Sequence, residues 1–146
     1  MIDRKAIVDE FSPKGCNCAQ CTCLAFEDEF DVTREDLFIL SAPFGGGMGY
    51  FGLTCGALAG AGMVMSNRYG ADFIDDVDYK KQFYAAIKEM AEEFEKENGA
   101  ATCKELLALQ EEGKAPACRQ LIYNAIALAE KYMEKYEGVL RERKAK

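Results

Sequence analysis

In the segment DYKKQFYAAIKEMAEEFEKENG, residues 78–99, the apolar side chains Tyr79, Phe83, Ala86, Ile87, Met90 and Phe94 recur at three- and four-residue intervals among charged neighbours. That period predicts an amphipathic helix with one apolar face, closed by Gly99 as its C-terminal cap. A second long helix is predicted from Pro116, striped through Leu121, Ala125, Leu128 and Tyr132, with the basic run RERKAK favouring the negative end of its dipole. Shorter helices are predicted over 3–11, 18–30, 34–40, 55–69 and 103–109, the third of these with Thr33 as N-cap and Asp36 in its first turn. No segment alternates with period two for long enough to make a strand. The expected fold is therefore all-α: a compact bundle of roughly five to seven helices with one glycine-rich loop and no sheet. No repeat and no linker-like stretch divides the chain, so residues 1–146 are expected to form a single cysteine-rich helical domain.

Composition narrows the function more than the fold. With 49% hydrophobic and 29% charged residues the chain has the make-up of an ordinary globular protein rather than a disordered one. Its net charge of -7, with acid concentrated in KEMAEEFEKE, leaves no basic stripe for a phosphate backbone, and nucleic acid is not expected as a partner. The longest uncharged run, residues 37–67, holds eight glycines and a proline and does not read as a membrane span. MIDRKAIVDEF lacks the layout of a signal peptide, so a cytoplasmic location is expected.

Two counts change the picture: seven cysteines and no histidine. The cysteines, with no export signal, point to metal or redox chemistry before a disulfide framework. The missing histidine removes Cys-His and Ser-His nucleophilic sites, His-containing zinc sites and histidine-ligated haem. Placed on the predicted helices, four cysteines fall at helix starts. Asn17 with Gln20 resembles a capping box and puts Cys18 first; Thr54 is read as doing the same for Cys55; Thr102 with Glu105 places Cys103; Pro116 opens the last helix with Cys118 in its first turn. Helix N-termini carry partial positive charge and free N–H donors, which favour thiolates and anionic cofactors. The plain alternative is that each cysteine is a small buried hydrophobe, and Cys118 does lie on the stripe of Leu121, Ala125 and Leu128.

The glycine-rich stretch FGGGMGYFGLTCGALAGAG surrounds Cys55. Gly45, Gly46, Gly47, Gly49 and Gly52 would let backbone approach a buried group and aim N–H donors at it. Gly56 joins them as a candidate cofactor neighbour, although Gly56 and Gly60, four apart, read first as small residues for close helix packing. Gly47-x-Gly49-x-x-Gly52 matches a dinucleotide fingerprint, but no βαβ unit surrounds it. Tyr50, Phe51, Met48, Met63 and Met65 read first as core.

On these residues the chain resembles the C-GCAxxG-C-C family, whose hallmark is four dispersed cysteines and which is described as redox-active. GCNCAQ gives Cys18, TCGALAG gives Cys55 in the Cys-Gly-Ala-x-x-Gly box, TCKELL gives Cys103 and PACRQLI gives Cys118. The family is also similar to a region of split-Soret cytochromes c, whose haem-binding part has no counterpart here. The resemblance implies a cluster or redox-active thiols: Cys18, Cys55, Cys103 and Cys118 as ligands of an iron–sulfur cluster, 2Fe-2S or similar, serving electron transfer or redox sensing, with a redox partner protein expected and a homodimer left open. A metal-free thiol–disulfide protein and a structural four-cysteine zinc site are the alternatives. Cys16, Cys21 and Cys23 depart from the family pattern. Cys21 is expected on the face of Cys18, and Cys23 roughly 140° away as packing, at about 100° per residue; Cys16 and Cys21 are open between spare ligands, resolving thiols and no role.

Overall fold

The computed structural model describes residues 1–71 and 74–143. Seven α-helices of eight residues or more run through them in chain order: α1 Arg4–Phe11, α2 Cys18–Ala25, α3 Arg34–Ser41, α4 Gly56–Tyr69, α5 Val77–Asn98, α6 Cys103–Glu111 and α7 Cys118–Lys135, with a single helical turn at Gly45–Met48. Among the described residues there is no sheet; the sole β pairing is an isolated antiparallel bridge between Thr54 and Thr102. The all-α expectation holds.

Local capping starts most of these helices where the sequence placed them. The Asp3 carboxylate accepts the Ala6 N–H at the start of α1, the Thr33 hydroxyl accepts the Asp36 N–H at α3, and Asp76 accepts the Tyr79 N–H at α5. Gly99 ends α5 in a left-handed conformation (φ 97°), its N–H donating to the Glu95 carbonyl. The apolar face of α5 buries Tyr79, Phe83, Ala86, Met90 and Phe94, with Ile87 half-buried at its edge. It packs on α7, whose buried stripe is Leu121, Ala125, Leu128 and Tyr132, joined by Ile122, Ile126, Ala129 and Met133.

Two expected helices differ. The segment 18–30 is helical only to Ala25; Phe26 leaves the helix to bury its ring, and a 3-10 turn follows at Glu27–Glu29. Arg4 accounts for the break: its guanidinium donates to the Ala25 carbonyl at 2.7 Å, capping α2, and pairs with Asp28. At the other end, α7 stops at Lys135, so the run RERKAK does not lie in its last turn. Arg141 instead pairs with Asp76 at 2.7 Å and sits over the Tyr79 ring, while residues 144–146 lie outside the described residues.

The body is clamped by buried hydroxyls. Tyr69 donates to the Met133 carbonyl and Tyr79 to the Tyr69 carbonyl, each at 2.6 Å, tying α4, α5 and α7 together. On the far side α4 crosses α2 closely, and the reason is glycine. A Cβ on Gly56 would meet Cys18 Cβ at 3.2 Å, and one on Gly60 would meet Thr22 Cβ at 2.7 Å. The structural reading of this pair is correct: their missing side chains let α4 lie against α2 and bring Cys55 next to Cys18.

Candidate functional site: a cysteine-lined cavity at four helix starts

The starts of α2, α4, α6 and α7 surround one cavity of about 310 Å³, and Cys18, Cys55, Cys103 and Cys118 all line it. Each side chain arrives by a different local device. At α2 a complete capping box forms: the Asn17 side chain accepts the Gln20 N–H, and the Gln20 side chain accepts the Asn17 N–H. Cys18 is then the first helical residue. Asn17 also donates to the Ala42 carbonyl and Gln20 to the Phe38 carbonyl, so the cap is anchored to α3 and the turn beyond it.

Cys55 corrects the expectation for Thr54. Thr54 is not a cap; its backbone pairs with Thr102, and Cys55 itself occupies the N-cap position with α4 beginning at Gly56. Two hydrogen bonds beside that bridge clamp two cysteines together: the Cys55 N–H donates to the Ala101 carbonyl at 2.8 Å, and the Cys103 N–H donates to the Leu53 carbonyl at 2.7 Å. Cys103 begins α6 as expected, with the Thr102 hydroxyl accepting the Glu105 N–H. The last helix starts later than expected, at Cys118 rather than at Pro116. Ala117 precedes it in an extended conformation and offers no side-chain cap, so the first-turn amides of α7 have no side-chain acceptor from it. The Pro116 carbonyl is occupied by Gln110, which donates to it at 2.8 Å.

The electrostatics separates these thiols. The Cys118 pKa is lowered to about 6 by the Cys18 thiol and, with a smaller contribution, by Gln110, against the opposing effect of burial. Cys118, followed by burial and the neighbouring sulfurs, pushes Cys18 far up. Cys55 is buried, which raises its pKa, while the Ala57 and Leu58 amides at the start of α4 pull it down. Burial and the nearby Cys118 raise Cys103. Cys118 is thus in electrostatic contact with each of the other three. Among the described residues, no three Cys, Asp or Glu side chains converge on a point where a single metal ion would sit.

The glycines divide. Gly46 and Gly56 line the cavity, and Gly52 with Gly46 lines a smaller recess beside it, under Tyr50 and Phe51. Gly45, Gly47 and Gly49 are not among the residues that line it. Gly45 makes room for the Asn17 side chain, and Gly47 (φ 69°) lies against the Leu53 backbone, where a Cβ would come within 2.5 Å. The amides of Gly49 and Gly52 donate to the carbonyls of Pro43 and Gly46, so the loop spends these donors on its own fold. Tyr50 and Phe51, expected in the core, are exposed, as is Met48, whereas Met65 is buried and Met63 packs against Cys23.

The other three cysteines also part company. Cys23 is buried in a satellite cluster with Leu24 and Leu37, and burial pushes its pKa to about 12. Cys16 lines the cavity; Cys21 is buried behind it, its Sγ 3.7 Å from the Cys16 carbonyl oxygen. Three polar residues of the cavity, Ser12, Gln110 and Arg119, escaped the sequence reading. Gln110 lies 3.5 Å from the Cys118 sulfur, and Arg119 is the charged basic group in the lining. Helical spacing carried a signal for Gln110, which follows Cys103 by seven residues, about two turns, and so shares one face of α6 with it.

No curated protein and no solved structure is significantly similar to the chain. A family model does match it, C_GCAxxG_C_C, described as putative redox-active protein, over residues 16–132. That span includes the whole cavity, from Cys16 through the Cys-Gly-Ala-x-x-Gly box at Cys55 to Cys118 and α7. By this match over most of its length, the chain belongs to the C_GCAxxG_C_C family of redox-active proteins.

Proposed function

We propose that the cavity holds an iron–sulfur centre through the thiolates of Cys18, Cys55, Cys103 and Cys118, and that the protein acts in electron transfer or redox sensing. The observation that carries this is the convergence of four cysteines, from four separate helix starts, on one cavity. The residues present fit such a group. All four donors are sulfur, the lining contains no carboxylate, and Arg119 offsets part of the negative charge that thiolates and cluster would bring. The four thiols line one cavity, and four-thiolate ligation suits an iron–sulfur cluster. When bound, the centre would supply one-electron chemistry at a potential tuned by its surroundings.

The chain's own groups prepare that site. At Cys55 the first-turn amides of Ala57 and Leu58 favour the thiolate. Gln110 holds its amide at the Cys118 sulfur, and Leu106, Leu107, Leu121 and Ile122 form the apolar part of the wall. Single serine substitutions test the assignment in protein made without oxygen from iron-supplied cells. Cys18→Ser, Cys55→Ser, Cys103→Ser and Cys118→Ser should each lose iron and acid-labile sulfide, while Cys23→Ser keeps both. Retention of full iron by two or more of the four would reject this ligand set. A second reading, thiol–disulfide exchange, is favoured by the placement of Cys18 and Cys118 in one cavity with the Cys118 pKa lowered; it predicts metal-free protein in which those two thiols are lost together on mild oxidation.

A further inference from the structure

Beside the cavity the protein displays apolar side chains in water. Tyr50 and Phe51 are 93% and 76% exposed, and Leu107 of α6 is 47% exposed. All three line one recess of about 200 Å³, and Cys103 lines both this recess and the cavity, so the patch adjoins one of the four cysteines. The display is built into the backbone. Tyr50 (φ 66°) and Met48 (φ 72°) hold left-handed conformations, which residues with side chains seldom adopt without a functional reason. The loop is pinned in that shape: the Gly52 N–H donates to the Gly46 carbonyl at 3.1 Å and the Leu53 N–H to the Gly47 carbonyl at 3.0 Å. The Lys104 N–H donates to the Gly52 carbonyl at 3.2 Å and ties the loop to α6. Two aromatic rings held outward by a fixed loop have the form of interface anchors.

We propose that this face docks an acidic redox protein, whose carboxylates meet Lys104 and Arg119 around an apolar centre formed by Tyr50, Phe51 and Leu107. The proposal rests on the electron-transfer reading of the cavity and adds its partner. Charge selects that partner. The chain has a net charge of -7, yet no carboxylate lines the cavity or the recess; the charged residue of the recess is Lys104 and that of the cavity is Arg119. Arg119 meets Asp9 only loosely, at 3.8 Å, and Lys104 is exposed. An anionic partner is repelled by the acidic remainder of the surface and attracted here, which orients it on approach. A second copy docked face to face about a two-fold axis would instead set these cations against their own equivalents. A small apolar centre with a charged rim is the anatomy of a transient encounter. The exchange makes and breaks no bond: one electron leaves the reduced centre of one protein and enters the oxidised centre of the other.

The test measures binding rather than turnover. Protein purified without oxygen is titrated calorimetrically with two acidic redox proteins, a plant-type 2Fe-2S ferredoxin and a flavodoxin, and with the basic protein cytochrome c as counter-probe. An acidic probe should bind, and bind more weakly as salt rises. Lys104→Glu should weaken that binding about tenfold and flatten its salt dependence, whereas Phe51→Ser should weaken it about as much and keep the salt dependence. Lys88→Glu, on α5 and in neither lining, should change it by less than about twofold. Failure of both acidic probes to bind, binding left unchanged by Lys104→Glu or by Phe51→Ser, or cytochrome c binding that Phe51→Ser abolishes would each overturn the proposal. So would a wild-type dimer, seen by sedimentation, that Phe51→Ser dissociates, because it assigns the face to a second copy. Both substituted residues are exposed, and circular dichroism checks that the variants fold. Iron and sulfide measured on the same samples report the centre separately: binding by metal-free protein keeps the docking face and rejects the cluster, and a loaded centre without binding does the reverse.

Discussion

The two ends of the α4–α7 pair use opposite chemistry. At one end Tyr69 and Tyr79 bury their hydroxyls on backbone carbonyls and Phe94, Met90 and Leu128 fill the space between helices. At the other, α2, α4, α6 and α7 begin around a cavity lined by sulfur, amides and a guanidinium. Cysteine itself shows the contrast. Cys23, buried among Leu24 and Leu37, is a packing residue whose thiol is hard to ionise; Cys118, exposed at the start of α7, ionises near neutrality. Residue type therefore says little here about role, and the neighbours each sulfur meets, a second thiol and Gln110 at Cys118 against apolar packing at Cys23, say a great deal.

The sharpest way to break the comparison is from the packed end. Phe94→Ala should cost about 3–5 kcal/mol, measured by urea denaturation, through lost burial and the cavity left behind. Provided the protein remains folded, the reactivity of the cavity thiols should be unchanged. Gly60→Val should cost about 1–3 kcal/mol by overpacking against Thr22. Unlike Phe94→Ala it should also disturb the sulfurs, because pushing α2 off α4 carries Cys18 away from its partners; slower alkylation of Cys118 at neutral pH would show this. Tyr69→Phe should cost about 1–3 kcal/mol by leaving the buried Met133 carbonyl without its donor, with no effect on the thiols.

The smallest effects belong to the cavity and need no change in stability. In metal-free protein the Cys118 pKa is lowered, so its thiolate predominates above about pH 6 and is lost as the pH falls through that value. Its alkylation rate, followed by mass spectrometry, should drop with a midpoint there, while Cys23, pushed up to about 12, should stay unreactive throughout. Gln110→Ala should move the Cys118 midpoint upward, since Gln110 helps to lower it. A midpoint equal to that of an ordinary thiol would remove the contrast between the two cysteines.

What could be read from the sequence was local. Periodicity located α5 and α7, and side-chain caps placed Cys18 and Cys103 at their helix starts, because both signals lie within a few residues of the element they define. Gly56 and Gly60 were legible as a close-packing pair. What stayed hidden depends on residues distant in the chain. Thr54 looks like a cap until Thr102 pairs with it, Arg4 ends α2 from the first helix, and Gln110 draws off the Pro116 carbonyl and so delays α7 to Cys118. The glycine loop divides: Gly46 lines the cavity, while Gly49 and Gly52 use their amides to close the loop on itself.

The central claim, that four helix starts converge to hold a metal–sulfur centre, is tested most directly by measuring iron, zinc and acid-labile sulfide in protein purified without oxygen from iron-supplied cells. The account predicts iron and sulfide in equal amounts, stoichiometric with the chain. Zinc without sulfide, or no metal in protein that keeps all its cysteines reduced, would contradict it.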